Sequence, residues 1–132
     1  MRWFGNTVDE LISSSKYLSM NGNKRIMFSE RGIRTFEPST RFTLDISAIP
    51  VLHEKTEYPV IIDPSHPAGV NRYVEPLALG GTAAGADGLM IEVHPDPSKA
   101  LSDSAQQLTV PQFQDLYTKV KNINAVLGKT VI

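Results

Sequence analysis

The stretch YPVIIDPSHPAG, residues 58–69, holds three consecutive β-branched residues, Val60, Ile61 and Ile62, closed off by Asp63-Pro64-Ser65. A short continuous apolar run bounded by proline and turn-forming residues predicts a strand buried on both faces, the signature of a parallel sheet covered by helices. Two other stretches repeat the pattern. KRIMFSERG, residues 24–32, has an apolar centre at Ile26, Met27 and Phe28, and DGLMIEVHP, residues 87–95, is apolar from Leu89 to Val93 apart from Glu92. Each run ends in ionisable residues.

Between the strands the apolar period changes to that of helices. TVDELISSSKYLSMNG, residues 7–22, has Asn6 or Thr7 as a candidate cap, acids in its first turn, Val8, Leu11, Ile12 and Leu18 at helical spacing, and Gly22 as a stop. RFTLDISAIPVLHEKT, residues 41–56, predicts a second helix with Phe42, Ile46 and Ile49 on one face and Pro50 bending or ending it. YVEPLALGGTAAGA, residues 73–86, predicts a small-residue helix whose paired glycines suit close packing on a sheet. TVPQFQDLYTKVKNINAVLG, residues 109–128, predicts a closing helix with Thr109 as cap, Pro111 in its first turn and Gly128 at its end. The resulting αβαβαβα order implies an α/β fold with parallel strands joined by right-handed crossovers. Three strands are fewer than an open doubly wound sheet carries, and the chain opens inside a strand-to-helix loop, so it reads as part of a larger sheet.

Composition narrows the classes. A formal net charge of −1, with acids and bases interspersed, gives no electrostatic reason to expect nucleic acid or an anionic membrane as partner. The chain has no cysteine, so disulfides and thiolate metal sites are excluded, in keeping with a reducing compartment such as the cytoplasm. No apolar run approaches the roughly 18 residues of a membrane span, and the N-terminus lacks the pattern of a signal peptide. A soluble protein is the expectation.

The three predicted strands end in Ser29-Glu30-Arg31-Gly32-Ile33-Arg34, Asp63-Pro64-Ser65-His66 and Glu92-Val93-His94-Pro95. In parallel α/β folds ligands bind at that carboxyl edge. Alternation on the third strand puts Leu89, Ile91 and Val93 on one face, expected to meet the helices, and Met90, Glu92 and His94 on the other. A carboxylate aimed into a sheet needs a cation or a hydrogen-bond network, so Glu92 calls for a metal ion or an arginine, with Arg31 at hand. His66 is either a hydrogen-bonded loop residue or a ligand, and Asp103 either a turn cap or a ligand. Taken together, His66, Glu92 and Asp103 offer nitrogen and oxygen donors suited to a divalent ion such as Mn, Fe or Zn, while Arg31 and Arg34 suit a phosphate or carboxylate.

The motifs SERGIRTFE, TLDISAIP, DPSHPAG and IEVHPDPSKALSD, with the lengths between them, resemble the C-terminal half of the 3-deoxy-D-arabino-heptulosonate 7-phosphate synthases, in the branch similar to 3-deoxy-octulosonate 8-phosphate synthase. The resemblance covers nearly the whole chain and implies that residues 1–132 form one part of a (β/α)8 barrel, with strands six to eight and helices five to eight. It implies the condensation of phosphoenolpyruvate with erythrose 4-phosphate, the first step of the shikimate pathway to the aromatic amino acids, with a divalent metal as cofactor. On it, His66, Glu92 and Asp103 fall on three metal ligands and Arg31 on the arginine that grips phosphoenolpyruvate; no residue falls on a further catalytic role. The family's cysteine ligand has no counterpart here, and Met1 stands where a phosphoenolpyruvate-contacting lysine is expected. The chain by itself is therefore expected to have little activity and, with unpaired strand edges, to form homo-oligomers, with exchanged elements as one route. The alternatives are a noncatalytic half-barrel module and a relative acting on the octulosonate pathway's sugar phosphate.

Overall fold

The computed structural model describes residues 1–131. Its elements are helix α1 (Val8–Met20), strand β1 (Phe28–Glu30), α2 (Ala48–Lys55), β2 (Val60–Ile62), a single-turn α3 (Ser65–Ala68), α4 (Asn71–Ala83), β3 (Gly88–Leu89), a 3-10 turn at Pro97–Lys99, and α5 (Val110–Val126). The strands form one parallel sheet in the order β1-β2-β3, with Phe28 opposite Val60 and Ile61 opposite Gly88. This is the α/β arrangement that the alternating sequence pattern predicts.

Packing follows from the strands' buried faces. Val60 and Ile62 are fully buried, and join Phe28, Ile49 and Leu52 in a core between the sheet and helices α1 and α2. Burying a side chain of this size contributes about 1.5–3 kcal/mol. A second core joins Val74 and Ala78 of α4 to Leu116 and Val120 of α5. The close approach expected of the paired glycines is present at Gly81, where an added Cβ would stand 2.0 Å from Ile62 Cδ1. Both long terminal helices begin with a reciprocal capping box: Thr7 with Glu10 in α1, and Thr109 with Gln112 in α5.

Several expectations need correction. The hydrogen-bonded part of the first strand is Phe28–Glu30 and not the apolar centre at Ile26–Phe28, because its ladder must match Val60–Ile62 of β2; Met27 is 59% exposed. The second helix starts at Ala48. Residues 41–47 are held instead by an antiparallel bridge between Ile33 and Thr43, and Phe42 stacks on Phe4, so Phe42 and Ile49 share no helical face. Pro50 neither bends nor ends α2: it is the third helical residue, in the first turn, where no intrahelical N–H bond is required. The third strand's ladder stops after Leu89, and a parallel bridge from Val93 to Leu108 carries the chain on. Leu89 and Ile91 pack against the second core as alternation predicts, whereas Val93 is 37% exposed. The turn α3 at Ser65–Ala68, within a stretch that composition marks as loop, completes the order.

Candidate metal and anion site

β2 is the central strand, and its carboxyl end delivers the fully buried Asp63 directly into α3. One Asp63 oxygen, Oδ1, accepts the backbone N–H of His66 at 3.1 Å, as a helix-capping side chain does. The other, Oδ2, lies 2.5 Å from His66 Nδ1. With the carboxylate as acceptor, Nδ1 is the donor, and in the neutral imidazole this leaves the lone pair on Nε2, the tautomer a metal-ligating histidine needs. The imidazole is thus held at one nitrogen and open at the other.

Glu92 and Asp103 show the same division. The Glu92 backbone N–H donates to Ser65 Oγ at 3.1 Å, and its Oε2 accepts from Gln106 Nε2 at 2.6 Å. Its Oε1 faces His66 Nε2 at 3.7 Å. Asp103 adopts a left-handed backbone with φ of 48°, uncommon for a non-glycine residue. Its Oδ1 accepts from Arg41 Nη1 at 3.1 Å, and its carbonyl accepts the Gln106 N–H at 3.1 Å. One ligand atom from each of His66, Glu92 and Asp103 lies within 4.8 Å of the others. Ligand bonds of about 2.1 Å place neighbouring ligand atoms roughly 3–4 Å apart around one ion. The Asp103 side chain is 35% exposed. One imidazole and two carboxylates fit a divalent transition ion.

The candidate anion side lies at the end of β1. Glu30 is fully buried and accepts from Arg2 Nη1 at 3.0 Å and from the Gly32 N–H at 2.8 Å, which fixes the turn that carries Arg31. Burial pushes the Glu30 carboxyl above its ordinary value, against the opposing hydrogen bonds of Arg2 and Gly32. Burial would lower the Arg2 guanidinium, but its hydrogen bonds to Asp45 and Glu30 outweigh that and hold it above its ordinary range. Gly32 has φ of 92° and passes between Phe42 and Pro67, each of whose Cβ atoms would lie 2.8 Å from an added Cβ, so no other residue fits the turn. The Arg31 guanidinium stands 6.0 Å from the Phe42 ring centroid, Arg41 at 5.9 Å from the same ring, and Arg34 at 5.0 Å from Phe4. Phe4 and Phe42 are stacked with centroids 5.3 Å apart. Three cations therefore line one aromatic pair.

The structure brings His66, Glu92 and Asp103 together, while Arg31 makes no ion pair among the described residues. The pairing of Glu92 with Arg31 that the sequence leaves open is not formed; Glu92 meets Gln106 and His66, and the arginine that reaches a candidate ligand acid is Arg41. Sequence reasoning missed Asp63, Gln106, Arg41 and the Arg2–Glu30 pair. Only Asp63 carries a local signal, its i,i+3 spacing to His66 on a proline-bounded turn.

Residues 2–128 match the DAHP synthetase I family. Over 130 residues the chain is 45% identical to the phospho-2-dehydro-3-deoxyheptonate aldolase of Thermotoga maritima, a match that covers 98% of this chain and 38% of that protein. It is 32% identical over 117 residues to the 2-dehydro-3-deoxyphosphooctonate aldolase of Desulfotalea psychrophila, covering 80% of this chain and 41% of that protein. The crystal structure of the T. maritima DAHP synthase superposes with a TM-score of 0.97 at 44% identity, covering 99% of this chain and 39% of that one. A truncated form of 3-deoxy-D-arabino-heptulosonate 7-phosphate synthase from the same organism gives 0.96 at 44% identity, covering 99% of this chain and 50% of that one. The chain thus spans well under half the length of the curated relatives it matches.

Proposed function

The chain belongs to the DAHP synthetase I family, and from that premise we propose that it supplies the metal and phosphoenolpyruvate side of a 3-deoxy-7-phosphoheptulonate synthase site. The observation that carries this reading is the convergence of His66, Glu92 and Asp103, each with one ligand atom tied by the protein and one left open, at the ends of neighbouring parallel strands. His66 Nε2, Glu92 Oε1 and the second oxygen of Asp103 would hold a divalent ion. When bound, the ion supplies Lewis-acid polarisation of the sugar aldehyde. Arg31, free of ion pairs among the described residues, clamps the carboxylate or phosphate of phosphoenolpyruvate, with Arg34 beside it on the same pair of aromatic rings. Asp63 keeps the imidazole in the ligating tautomer, and the Glu30–Arg2 pair keeps Arg31 aimed at the substrate. The residues that hold erythrose 4-phosphate in the family, and its cysteine, lie in the part of the barrel outside the span matched here, while Met1 stands at the place of its lysine.

The chain acts as one part of a (β/α)8 barrel that works in association. Among the described residues β1 and β3 each pair with a strand on one side only. Along β3 and α5 runs a groove of ≈ 700 Å³ lined by residues that include Ile91, Val93, Phe113 and Tyr117. Free strand edges beside apolar grooves promote association. Homo-oligomers are the expected state of the chain alone. Among the described residues no helix is long and apolar enough to cross a membrane, and phosphorylated substrates point to the cytoplasm.

The test measures phosphoenolpyruvate consumption with Mn²⁺ and either erythrose 4-phosphate or arabinose 5-phosphate. The purified chain is assayed alone and mixed with the complementary N-terminal part of a family member. Turnover with erythrose 4-phosphate that depends on the complement is expected. Preference for arabinose 5-phosphate would move the chain to the octulosonate branch, and no turnover in the mixture would overturn the transferase reading. A stable monomer in light scattering at micromolar concentration would overturn the association.

A further inference from the structure

Gln106 is the polar side chain that joins the two acidic candidate ligands, and it lies between them in space although nothing in its sequence setting marks it. It is 2% exposed. Its amide nitrogen donates to Glu92 Oε2 at 2.6 Å, and its amide oxygen faces Arg41 Nη1 at 3.4 Å, the same nitrogen that holds Asp103 Oδ1 at 3.1 Å. Its backbone N–H donates to the Asp103 carbonyl at 3.1 Å. Glu92 can only accept and Arg41 can only donate, so a side chain placed between them must do both, and must be neutral if it is not to add charge beside a cation. A primary amide meets all three requirements.

We propose, building on the metal reading above, that Gln106 is a positioning residue of the metal site: it holds Glu92 Oε2 away from the ion so that Oε1 ligates, and through Arg41 it couples the placement of Glu92 to that of Asp103. Without the amide, a direct Arg41–Glu92 contact would set a guanidinium on a ligand oxygen and leave Asp103 without its anchor. Outer-shell partners of this kind typically change metal affinity by about 10–100-fold when removed.

The test titrates Co²⁺ into the full chain and follows the ligand-field absorption and the heat of binding. The proteins are wild type, Gln106→Met, Arg41→Met, the double variant and His66→Ala, with far-UV circular dichroism as the check of folding. Gln106→Met is expected to weaken Co²⁺ about 10–100-fold and to alter the absorption band with the fold intact. The double variant is expected to lose less than the product of the two single losses, because both act on one network. If Gln106→Met does not fold, the exposed Arg41→Met still reads the coupling: a changed Co²⁺ band supports it, and an affinity and band equal to wild type overturn it. Equal Co²⁺ binding by wild type and Gln106→Met, with His66→Ala deficient, overturns the Gln106 assignment alone. Failure of wild type to bind Co²⁺, or equal binding by wild type and His66→Ala, overturns the metal reading and this inference with it.

Discussion

Replacing Arg2 by methionine isolates the buried charge at the end of β1. The Arg2 side chain is 6% exposed and that of Glu30 fully buried, with 3.0 Å between Nη1 and Oε2. The same nitrogen reaches Asp45 Oδ2 at 2.7 Å, and Nε donates to the Asn6 carbonyl at 2.9 Å. Methionine keeps the aliphatic stem and the backbone bond from Arg2 N–H to the Ser29 carbonyl but removes all three side-chain bonds. Glu30 retains the Gly32 N–H at 2.8 Å and a long contact from the Asp45 N–H at 3.4 Å, too little to solvate a buried carboxylate. Stranding one partner of a buried pair costs about 3–5 kcal/mol. With a urea m-value of about 2 kcal/mol/M, the unfolding midpoint should fall by roughly 1.5–2.5 M at neutral pH. The sign of the pH dependence follows from Glu30, which burial already pushes above its ordinary value of 4.5. With the cation gone, the folded state binds more protons than the unfolded chain between that ordinary value and the raised one. The unfolding free energy therefore falls as pH rises through this window, and the deficit of the variant shrinks on acidification toward the ordinary value. The double variant Arg2→Met/Glu30→Gln should recover much of the loss. Urea unfolding followed by circular dichroism across pH measures all of this. A midpoint for Arg2→Met within about 0.5 M of wild type at neutral pH, equivalent to about 1 kcal/mol, would refute the reasoning.

Adjacent glycines in α4 should respond in opposite directions. Gly81→Ala drives a methyl group onto Ile62 Cδ1 and should destabilise by about 1–3 kcal/mol, whereas Gly80→Ala, with nothing within 4 Å of the added atom, should stabilise by about 0.5–1 kcal/mol in thermal or urea unfolding. Asp63→Asn frees the His66 imidazole from its carboxylate and should weaken Co²⁺ binding by about 10–100-fold in a calorimetric titration. Burial alone would raise the Asp87 carboxyl, but the Val60 N–H and His53 outweigh it and hold the group below its ordinary value. That contribution to stability is present above the ordinary aspartate value and is lost as pH falls through the depressed one. Asp87→Asn should flatten the acid limb of a stability–pH profile, and an unchanged limb would contradict the assignment.

The parts of the fold legible in sequence are those decided locally. Strand β2 and helix α5 can be read directly, because three β-branched residues closed by Asp-Pro, and a threonine cap followed by proline and a periodic apolar stripe, each leave one solution. Strand β1 is displaced from its apolar centre because its hydrogen-bonded length is set by β2, a partner about thirty residues further along. Helix α2 is shorter than its period allows because Thr43 pairs with Ile33 and Asp45 turns to Arg2, contacts no window of sequence contains. The site divides in the same way. His66, Glu92 and Asp103 stand out because they are polar residues at or just beyond strand ends, where parallel sheets place ligands. Arg41 and Gln106 do not, because their contact joins residues 65 apart, and an arginine and a glutamine on two loops carry no local sign of each other.

The location of the site within the chain explains how three-strand geometry can be well ordered although β1 and β3 are edge strands, β1 met on its outer side by the Arg2 N–H. Asp63 and His66 follow β2, which is hydrogen-bonded to a strand on each side, and the residues that tie Glu92 and Asp103 come from loops that pack over the same end. Every bond that orients a candidate ligand is therefore internal to this chain. The free edges carry the opposite character: Trp3 and Leu18 near β1 are 63% and 54% exposed, and Val93 and Tyr117 beside β3 are 37% and 40% exposed. The hydroxyl of Ser29, on β1, is buried with no hydrogen-bond partner among the described residues, a cost of about 1–3 kcal/mol. Preorganisation of the candidate cation site and completion of the barrel are on this view separable. Metal affinity should respond to changes at Asp63, Gln106 and Arg41 in the chain alone, while changes at Val93, Phe113 and Tyr117 should act on association and leave Co²⁺ binding as it is.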